Sequence, residues 1–273
     1  MTMPDSHGLS ISSTAVKLTQ LGRRILPASL RRHIRALQFQ WLDLRWTLPS
    51  GISVRIANYA EWVVYNEIFT SGEYDAAISQ ALDSAPDAPS LHIVDLGANV
   101  GFFTLHVVDW LRQRRTERRG LKSTAVEGNR RLIEEFRSRV LVENALSASV
   151  RLAHGLIGER AGTATLYEPG AHTQHSLFRR TAPSKVQVDY MDLAPLFASD
   201  PQIDLLKCDI EGAELLFIQN YPDLLRKVRV AIFELHDNLC DTQQCRRLLS
   251  EYGFTQQAVL RQQGPYSIYC VWR

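Results

Sequence analysis

VDLGANVGFFTL, residues 94–105, joins the end of an apolar run to the start of an amphipathic one through a turn that carries two glycines. The run LHIVDL (91–96) reads as a buried strand, and VGFFTLHVVDWLRQ (100–113) as a helix opening at about Val100. Strand, glycine turn and helix in this order make the first βα turn of a doubly wound sheet, where ligands approach the carboxyl ends of the strands. Gly97 is expected to let a ligand come close to the backbone, and Gly101 to let the helix pack tightly on the strand.

Outward from this turn the chain keeps alternating. STAVE (123–127), SVRLAHG (149–155), IDLLKCDI (203–210) and VRVAIFELH (228–236) read as strands. The helices between and after them are 129–146, 213–220 and 242–253. GTATLYEP and KVQVDYM read as extra strands, and FTQQAVLR and YSIYCVWR as two closing strands. Strand–helix alternation predicts a Rossmann-like α/β fold, a mostly parallel twisted sheet with helices on both faces. Upstream, GISVRIAN (51–58) alternates like a short strand, 60–70 and 73–83 read as helices, and SAPDAPS (84–90) links them to the main unit. RQRRTERRG (112–120) lengthens one helix–strand connection.

The chain of 273 residues divides at residue 50 into a basic helical extension and one enzyme-sized domain, 51–273. In the extension Leu30, Ile34, Leu37, Trp41 and Leu44 recur at helical spacing, with Lys17, Arg23, Arg24, Arg31, Arg32, Arg35 and Arg45 making residues 17–45 basic and the arginines off the stripe. Two readings stand: a helix packed on the core or on a second copy in a homodimer, and a helix docked on an anionic membrane surface or a polyanionic substrate. The net charge of +2 gives no footing for a nucleic-acid partner. Four cysteines without a Cys-x-x-Cys pair suit reduced thiols in a cytoplasmic protein. Neither a signal peptide nor a membrane-spanning run is expected.

The turn argues against a dinucleotide. Its pattern is D-x-G-x-N-x-G rather than G-x-G-x-x-G, and Asp95 would repel a pyrophosphate. A sulfonium or an ammonium would be attracted there, and S-adenosylmethionine carries both and no phosphate. The second strand ends at Glu127, placed to accept the hydroxyls of a ribose.

The second motif is DLLKCDIEGAELLFI, 204–218, a buried strand ending in Asp209, Glu211 and Glu214. The next strand brings Glu234 and His236 to the same edge. Carboxylates are costly to bury unless paired or coordinated, so their collection here points to chemistry. Asp209, Glu211, Glu234 and His236 are the candidate catalytic residues, with a base among them to take an acceptor proton. Two structural readings compete: Glu211 and Glu214 as caps of the following helix, and the four candidates as ligands of a divalent cation. The assignment adopted has no metal. GAHTQHSLFRR (170–180), with His172, His175, Ser176, Arg179 and Arg180, reads as a loop closing over the acceptor or as plain surface.

VDLGANVGFFTL, AVEGN, VDYMDL, DLLKCDIEGAE and AIFELH, in this order and covering about residues 60–240, resemble the FkbM family of methyltransferases. SGEYD (71–75) looks like the family's lead-in to the first motif, and Met191 stands where the family often has leucine, a conservative core change. The resemblance implies a class I methyltransferase fold and S-adenosylmethionine as cofactor. The cofactor-binding set is then Glu73, Tyr74, Asp95, Gly97, Asn99, Gly101, Glu127, Gly128, Asn129, His154 and Asp209. It also implies O-methylation of a small-molecule or glycan hydroxyl on a sugar, polyketide or other secondary metabolite, with N-methylation of an amine or peptide as the alternative.

Overall fold

The apolar runs at 91–96 and 203–208 are buried along their whole length, as strands covered on both faces must be. They sit side by side at the centre of the molecule. The structure, a computed structural model, describes residues 39, 42, 44–84, 89–114, 120–168 and 184–273.

The hairpin β1 (Leu44–Thr47) and β2 (Ser53–Ile56) precedes α1 (Tyr59–Tyr65), which runs into a π-helical turn, Asn66–Thr70, and then α2 (Asp75–Asp83). The main unit follows as β3 (Ser90–Leu96), α3 (Phe102–Gln113), β4 (Gly120–Glu127), α4 (Arg130–Glu135) with a π-helical extension Phe136–Val142, and β5 (Val150–His154). Next come β6 (Thr163–Glu168), β7 (Ser184–Asp189), β8 (Ile203–Cys208), α5 (Glu214–Asn220) and α6 (Pro222–Arg226). The chain closes with β9 (Val228–His236), α7 (Thr242–Glu251), β10 (Gln256–Gln263) and β11 (Tyr266–Trp272).

Seven strands form one sheet in the order β10-β11-β9-β8-β3-β4-β5. β3, β4, β5, β8 and β9 are parallel, and β11 enters antiparallel between β9 and β10. From β3 the chain steps outward through β4 and β5, then returns to the other side of β3 for β8 and β9. The order therefore reverses between β3 and β8, and the crevice outside their carboxyl ends is the switch point where such sheets bind ligands. One core holds Ile93, Leu205 and Ile232, and the other holds Val94, Leu206 and Phe233, so successive residues of each central strand feed opposite faces. α2 packs on β8 and β9, while α5 packs on α7.

The expected strands and helices of the main unit are all present, with two differences in detail. β6 and β7 pair with each other in a separate two-stranded sheet, closed by a small cluster of Leu156, Leu166 and Val188. The short helix α6, opened by Pro222, follows α5 directly. The 170–180 loop lies outside the described residues, as do 85–88 of the linker and 115–119 of the α3–β4 connection.

The N-terminal expectation needs correction at Leu44. Leu30, Ile34, Leu37 and Trp41 lie outside the described residues, but Leu44 opens a strand instead of extending a helical stripe. Leu44 and Trp46 pack on the core while Arg45 and Thr47 are exposed, a period of two that strand pairing with Ile56 and Val54 exploits. β1 and β2 thus pair across the division drawn at residue 50. Among the described residues no helix is long and apolar enough to cross a membrane.

A buried ion pair ties this N-terminal layer to the π-helical segment that follows α4. Asn58 caps α1 by accepting from the Glu61 amide, and Glu61 in turn accepts from the Ala57 amide. Glu61 also takes a bidentate pair of bonds from Arg139, at 2.9 and 3.1 Å, with both side chains nearly sequestered from solvent. Removing Glu61 leaves the buried Arg139 with the half-exposed Glu135, at 2.8 Å, as its remaining partner and also loses the bond from the Ala57 amide, together a cost of about 3 kcal/mol. Glu61→Ala is therefore expected to lower unfolding free energy by about that amount in urea titrations. A loss within about 0.5 kcal/mol, the range of ordinary surface substitutions, would show that the pair does not anchor this layer.

Candidate active site

Gly97 sits at φ +76°, in the left-handed region, and a Cβ built on it would lie 1.7 Å from the carbonyl oxygen of Asp209. Only glycine fits. The amides of Gly97 and Ala98 both donate to the Val126 carbonyl, and the Asp209 amide donates to Leu96. The turns after β3 and β8 are thereby joined at the switch point. Asn99, at φ +51°, completes the turn, with its own side chain accepting from the Val100 amide at 2.8 Å. Gly101 caps α3 at φ +87°, and its missing side chain makes room for the Phe136 ring of the π-helical segment, not for a strand as expected.

Glu127 ends β4 and is buried. Its two oxygens accept from different turns, one from the Asn99 amide at 2.9 Å and the other from the Asn129 amide at 2.8 Å. Each oxygen keeps a lone pair. Burial raises the Glu127 pKa, and the bonds from Asn129 and Asn99 pull it back. The Asn129 side chain is occupied as the cap of α4, accepting from Arg131 and Leu132. Gly128 is crowded by Leu156, 2.8 Å from a built Cβ. His154, exposed at the end of β5 and opposite Glu127 in register, bonds the Gly128 carbonyl through Nε2 at 3.0 Å.

The third element is a buried lysine that the motif reading passed over. Lys207 follows Leu205 and Leu206 in the fully buried β8, directly beside Asp95 in register. Its ammonium lies 3.3 Å from Asp209 and 3.7 Å from Asp95, and donates to the Gly97 carbonyl at 3.4 Å. Burial alone would lower the Lys207 pKa, but Asp209, Asp95 and Glu234 outweigh it and hold the group charged. Asp95 is fully buried, with only a long 3.5 Å bond from Thr104 to one of its oxygens. Desolvation drives its pKa up to about 6 against the pull of Lys207. Asp95 therefore acts on the crevice through its field and through Lys207. The Asp209 side chain is about a quarter exposed and reaches the crevice itself.

Glu234 and His236 leave β9 on the same face of the sheet. The Glu234 carboxyl is buried and accepts from the Tyr74 hydroxyl. Burial first, then Asp209, push its pKa up to about 8. Tyr74 belongs to the SGEYD segment, which crosses this edge and grips three elements. Glu73 accepts from Arg261 of β10 at 2.5 Å, Tyr74 bonds β9, and Asp75 bonds His106 and Trp110 of α3 at 2.6 and 3.1 Å. His236 ends β9 with its ring 5.3 Å from that of Tyr266, while its carbonyl accepts from the amides of Leu239 and Cys240.

The acidic turn divides by role. Glu211 holds a left-handed backbone, φ +54°, between β8 and α5. Glu214 is fully buried and folds back to accept from the Ile210 and Gly212 amides at 3.0 Å, which makes it a turn-closing group. The structure thus gathers Asp95, Asp209 and Glu234 around Lys207, with Tyr74 and Glu73 above them. Glu127, Asn99 and Asn129 are gathered at the neighbouring strand end. Among the described residues no group of three or more His, Cys, Asp or Glu is arranged to hold a metal ion. A lone lysine inside a buried strand was itself a signal, since lysine is almost never buried unpaired. Tyr266 and Arg261 carried none.

Sheet order, antiparallel insertion and the glycine turn define a Rossmann-like class I methyltransferase fold. A model of the FkbM methyltransferase domain matches residues 95–255, more than half of the chain, and the protein belongs to that family. It is a methyltransferase that uses S-adenosylmethionine. Among solved structures it is similar to the methyltransferase FkbM of Methylobacillus flagellatus KT, at 16% identity and TM-score 0.47, over 90% of this chain and 60% of that one. It is also similar to the magnesium protoporphyrin IX methyltransferase of Synechocystis PCC 6803, at 12% identity and TM-score 0.45, over 93% and 96% of the two chains. The precorrin-6y C5,15-methyltransferase of Geobacter metallireducens GS-15 aligns at 12% identity and TM-score 0.41, over 72% and 87%. No curated protein sequence matches the chain.

Burial drives the Glu214 pKa from 4.5 to about 7 despite the amide bonds it accepts. The folded state holds this proton more tightly than the unfolded chain, so Glu214 costs stability as pH rises from about 4.5 to 7 and no more above that. The stability of the wild type relative to Glu214→Gln is expected to fall by on the order of 2–3 kcal/mol over this range. Urea unfolding of both proteins at pH 5 and pH 8 checks it, and an unchanged difference rejects it.

Proposed function

We propose that the protein transfers the methyl group of S-adenosylmethionine to a hydroxyl of a sugar, polyketide or other small acceptor, at the crevice outside β3 and β8. The observation that carries this reading is the collection of Asp95, Asp209 and Glu234 around a single lysine beside the glycine turn. That edge holds more negative than positive charge, so it suits a cationic ligand. The residues fit the cofactor in a second respect: Glu127 offers a lone pair on each oxygen for vicinal ribose hydroxyls. A pyrophosphate would meet the same carboxylates and be repelled.

The cofactor, when bound, supplies a methyl group on a sulfonium, open to in-line attack. The chain's part is to align the acceptor and take its proton. An alcohol needs a base as the new bond forms, and Asp209, Glu234 and His236 stand at this edge to serve. An amine acceptor makes a smaller demand on a base, so the choice of carboxylates and imidazole here favours the hydroxyl.

Glu127→Ala removes two charge-assisted acceptors and is expected to weaken S-adenosylmethionine binding by about 1.5–3 kcal/mol. Calorimetric affinity equal to wild type would end the placement of the ribose. Single-turnover transfer to a panel of sugar and polyketide alcohols and their amino analogues tests the reaction. With the alcohols, His236→Ala is expected to slow transfer by about 10²-fold or more while cofactor affinity holds, if the imidazole is the base; if Asp209 is the base, the larger loss follows Asp209→Asn. Transfer confined to the amines, insensitive to both substitutions, would make the enzyme an N-methyltransferase.

A further inference from the structure

The acidic edge carries one charge problem that cofactor binding would solve. Glu234 is surrounded on every side. Asp209 and Lys207 face it from β8, Tyr74 and Glu73 from the SGEYD segment, and Tyr266 from β11, with Asp95 behind Lys207 on β3. Glu73 is paired with Arg261, which also meets Glu67. His236 follows on its own strand. Around Lys207 three carboxylates share a single ammonium, and two of them are buried. Like charges this close in a desolvated site cannot all ionise.

We propose that this cluster stores a proton on Glu234 in the free enzyme and expels it to solvent as the cationic cofactor binds, so that Glu234 becomes a carboxylate base only in the loaded site. The inference rests on the cofactor reading above. The balance is simple: the carboxylic acid loses one proton to water, and the positive charge that leaves is replaced by the positive charge that arrives. Glu234 is the member that holds the proton because its buried carboxyl feels Asp209, while the ion pairs of Lys207 go to Asp95 and Asp209. Its pKa, near 8, stands above that of Asp95, near 6. The Tyr74 hydroxyl donates to the ionised form and keeps the carboxylate from being prohibitively costly once the proton has gone.

The consequence is thermodynamic linkage between cofactor affinity and pH. Below pH 8 the free site is mostly protonated, so binding must release a proton and tightens as pH rises. Above pH 8 the dependence levels off. A deprotonation that waits for the cofactor also keeps Glu234 from acting as a base in the empty site.

The test is titration calorimetry of S-adenosylmethionine into the full chain at pH 7 in phosphate and in Tris, whose ionisation enthalpies differ. Wild type is expected to release close to one proton per cofactor more than Glu234→Gln, so that the cofactor's own amino group cancels in the comparison. Affinity of the wild type relative to the variant should rise about tenfold per pH unit between 6 and 7.5. S-adenosylhomocysteine, which lacks the sulfonium charge, should expel less. Tyr74→Phe supports the test if Glu234→Gln does not fold. Loss of its hydroxyl should move the release to higher pH, and an unmoved window overturns the proposal. Equal proton release by wild type and Glu234→Gln overturns it while leaving the cofactor reading intact. No binding of the cofactor, read by equilibrium dialysis alongside the calorimetry, overturns both.

Discussion

The ammonium of Lys207 is buried where the sheet changes direction, and the site depends on what it neutralises. Without it Asp95 and Asp209 would face each other across the β3–β8 seam with no cation between them. The same group donates to the Gly97 carbonyl, so the charge that makes the carboxylates tolerable also holds the glycine turn against the end of β8. Burial of a lysine costs several kcal/mol unless its partners are well placed. Here they are supplied by both strands and the turn. Replacing any one of the three would unbalance the others, and for that reason the β3 turn, the β8 end and the lysine have to be read as a single unit.

Backbone geometry reinforces that unit. The carbonyl of Asp209 occupies the space that a side chain at residue 97 would need. Two non-glycine residues, Asn99 and Glu211, take left-handed conformations on either side of the seam. Such conformations persist when the surroundings over-determine them. For Asn99 those surroundings include Glu127, which grips its amide, and so that carboxylate is bound to the shape of the first turn. The SGEYD segment closes the assembly from above, bonding β9, β10 and α3 with three consecutive side chains.

The sheet and the two strand-end motifs were legible because buried parallel strands are continuous apolar runs and the turns between them are marked by glycine. Asp95, Glu127, Asp209 and Glu234 could be placed at one edge from their positions at strand ends. The pairings could not. That Glu214 closes a turn while Glu234 meets Tyr74 depends on which side chains fold back, and spacing does not encode that. Gly101 was read as a glycine for helix–strand contact, yet the constraint comes from Phe136, thirty-five residues away. Leu44 fitted a helical stripe by spacing, but its alternation with Trp46 satisfied a hairpin, and tertiary packing decided between two periods that four residues cannot distinguish. Lys207 was visible in the motif and went unread, because its meaning lies in two acidic partners that come from different strands.

Charge at this edge also bears on what happens after transfer. A sulfonium held among carboxylates gains Coulomb energy that a neutral thioether does not, and in a site of low dielectric that difference is large. On the proposed placement of the cofactor, acidic residues clustered around one lysine favour the methyl donor over its demethylated product. The preference needs no contact with the methyl group itself. It requires only that the carboxylates stay desolvated, which burial of Asp95 and Glu234 secures, and that one of them, Asp209, reach the crevice. On the same proposal this edge binds its charged ligand, spares the empty site a concentration of unpaired charge by holding a proton, and loses its grip when the charge has been spent.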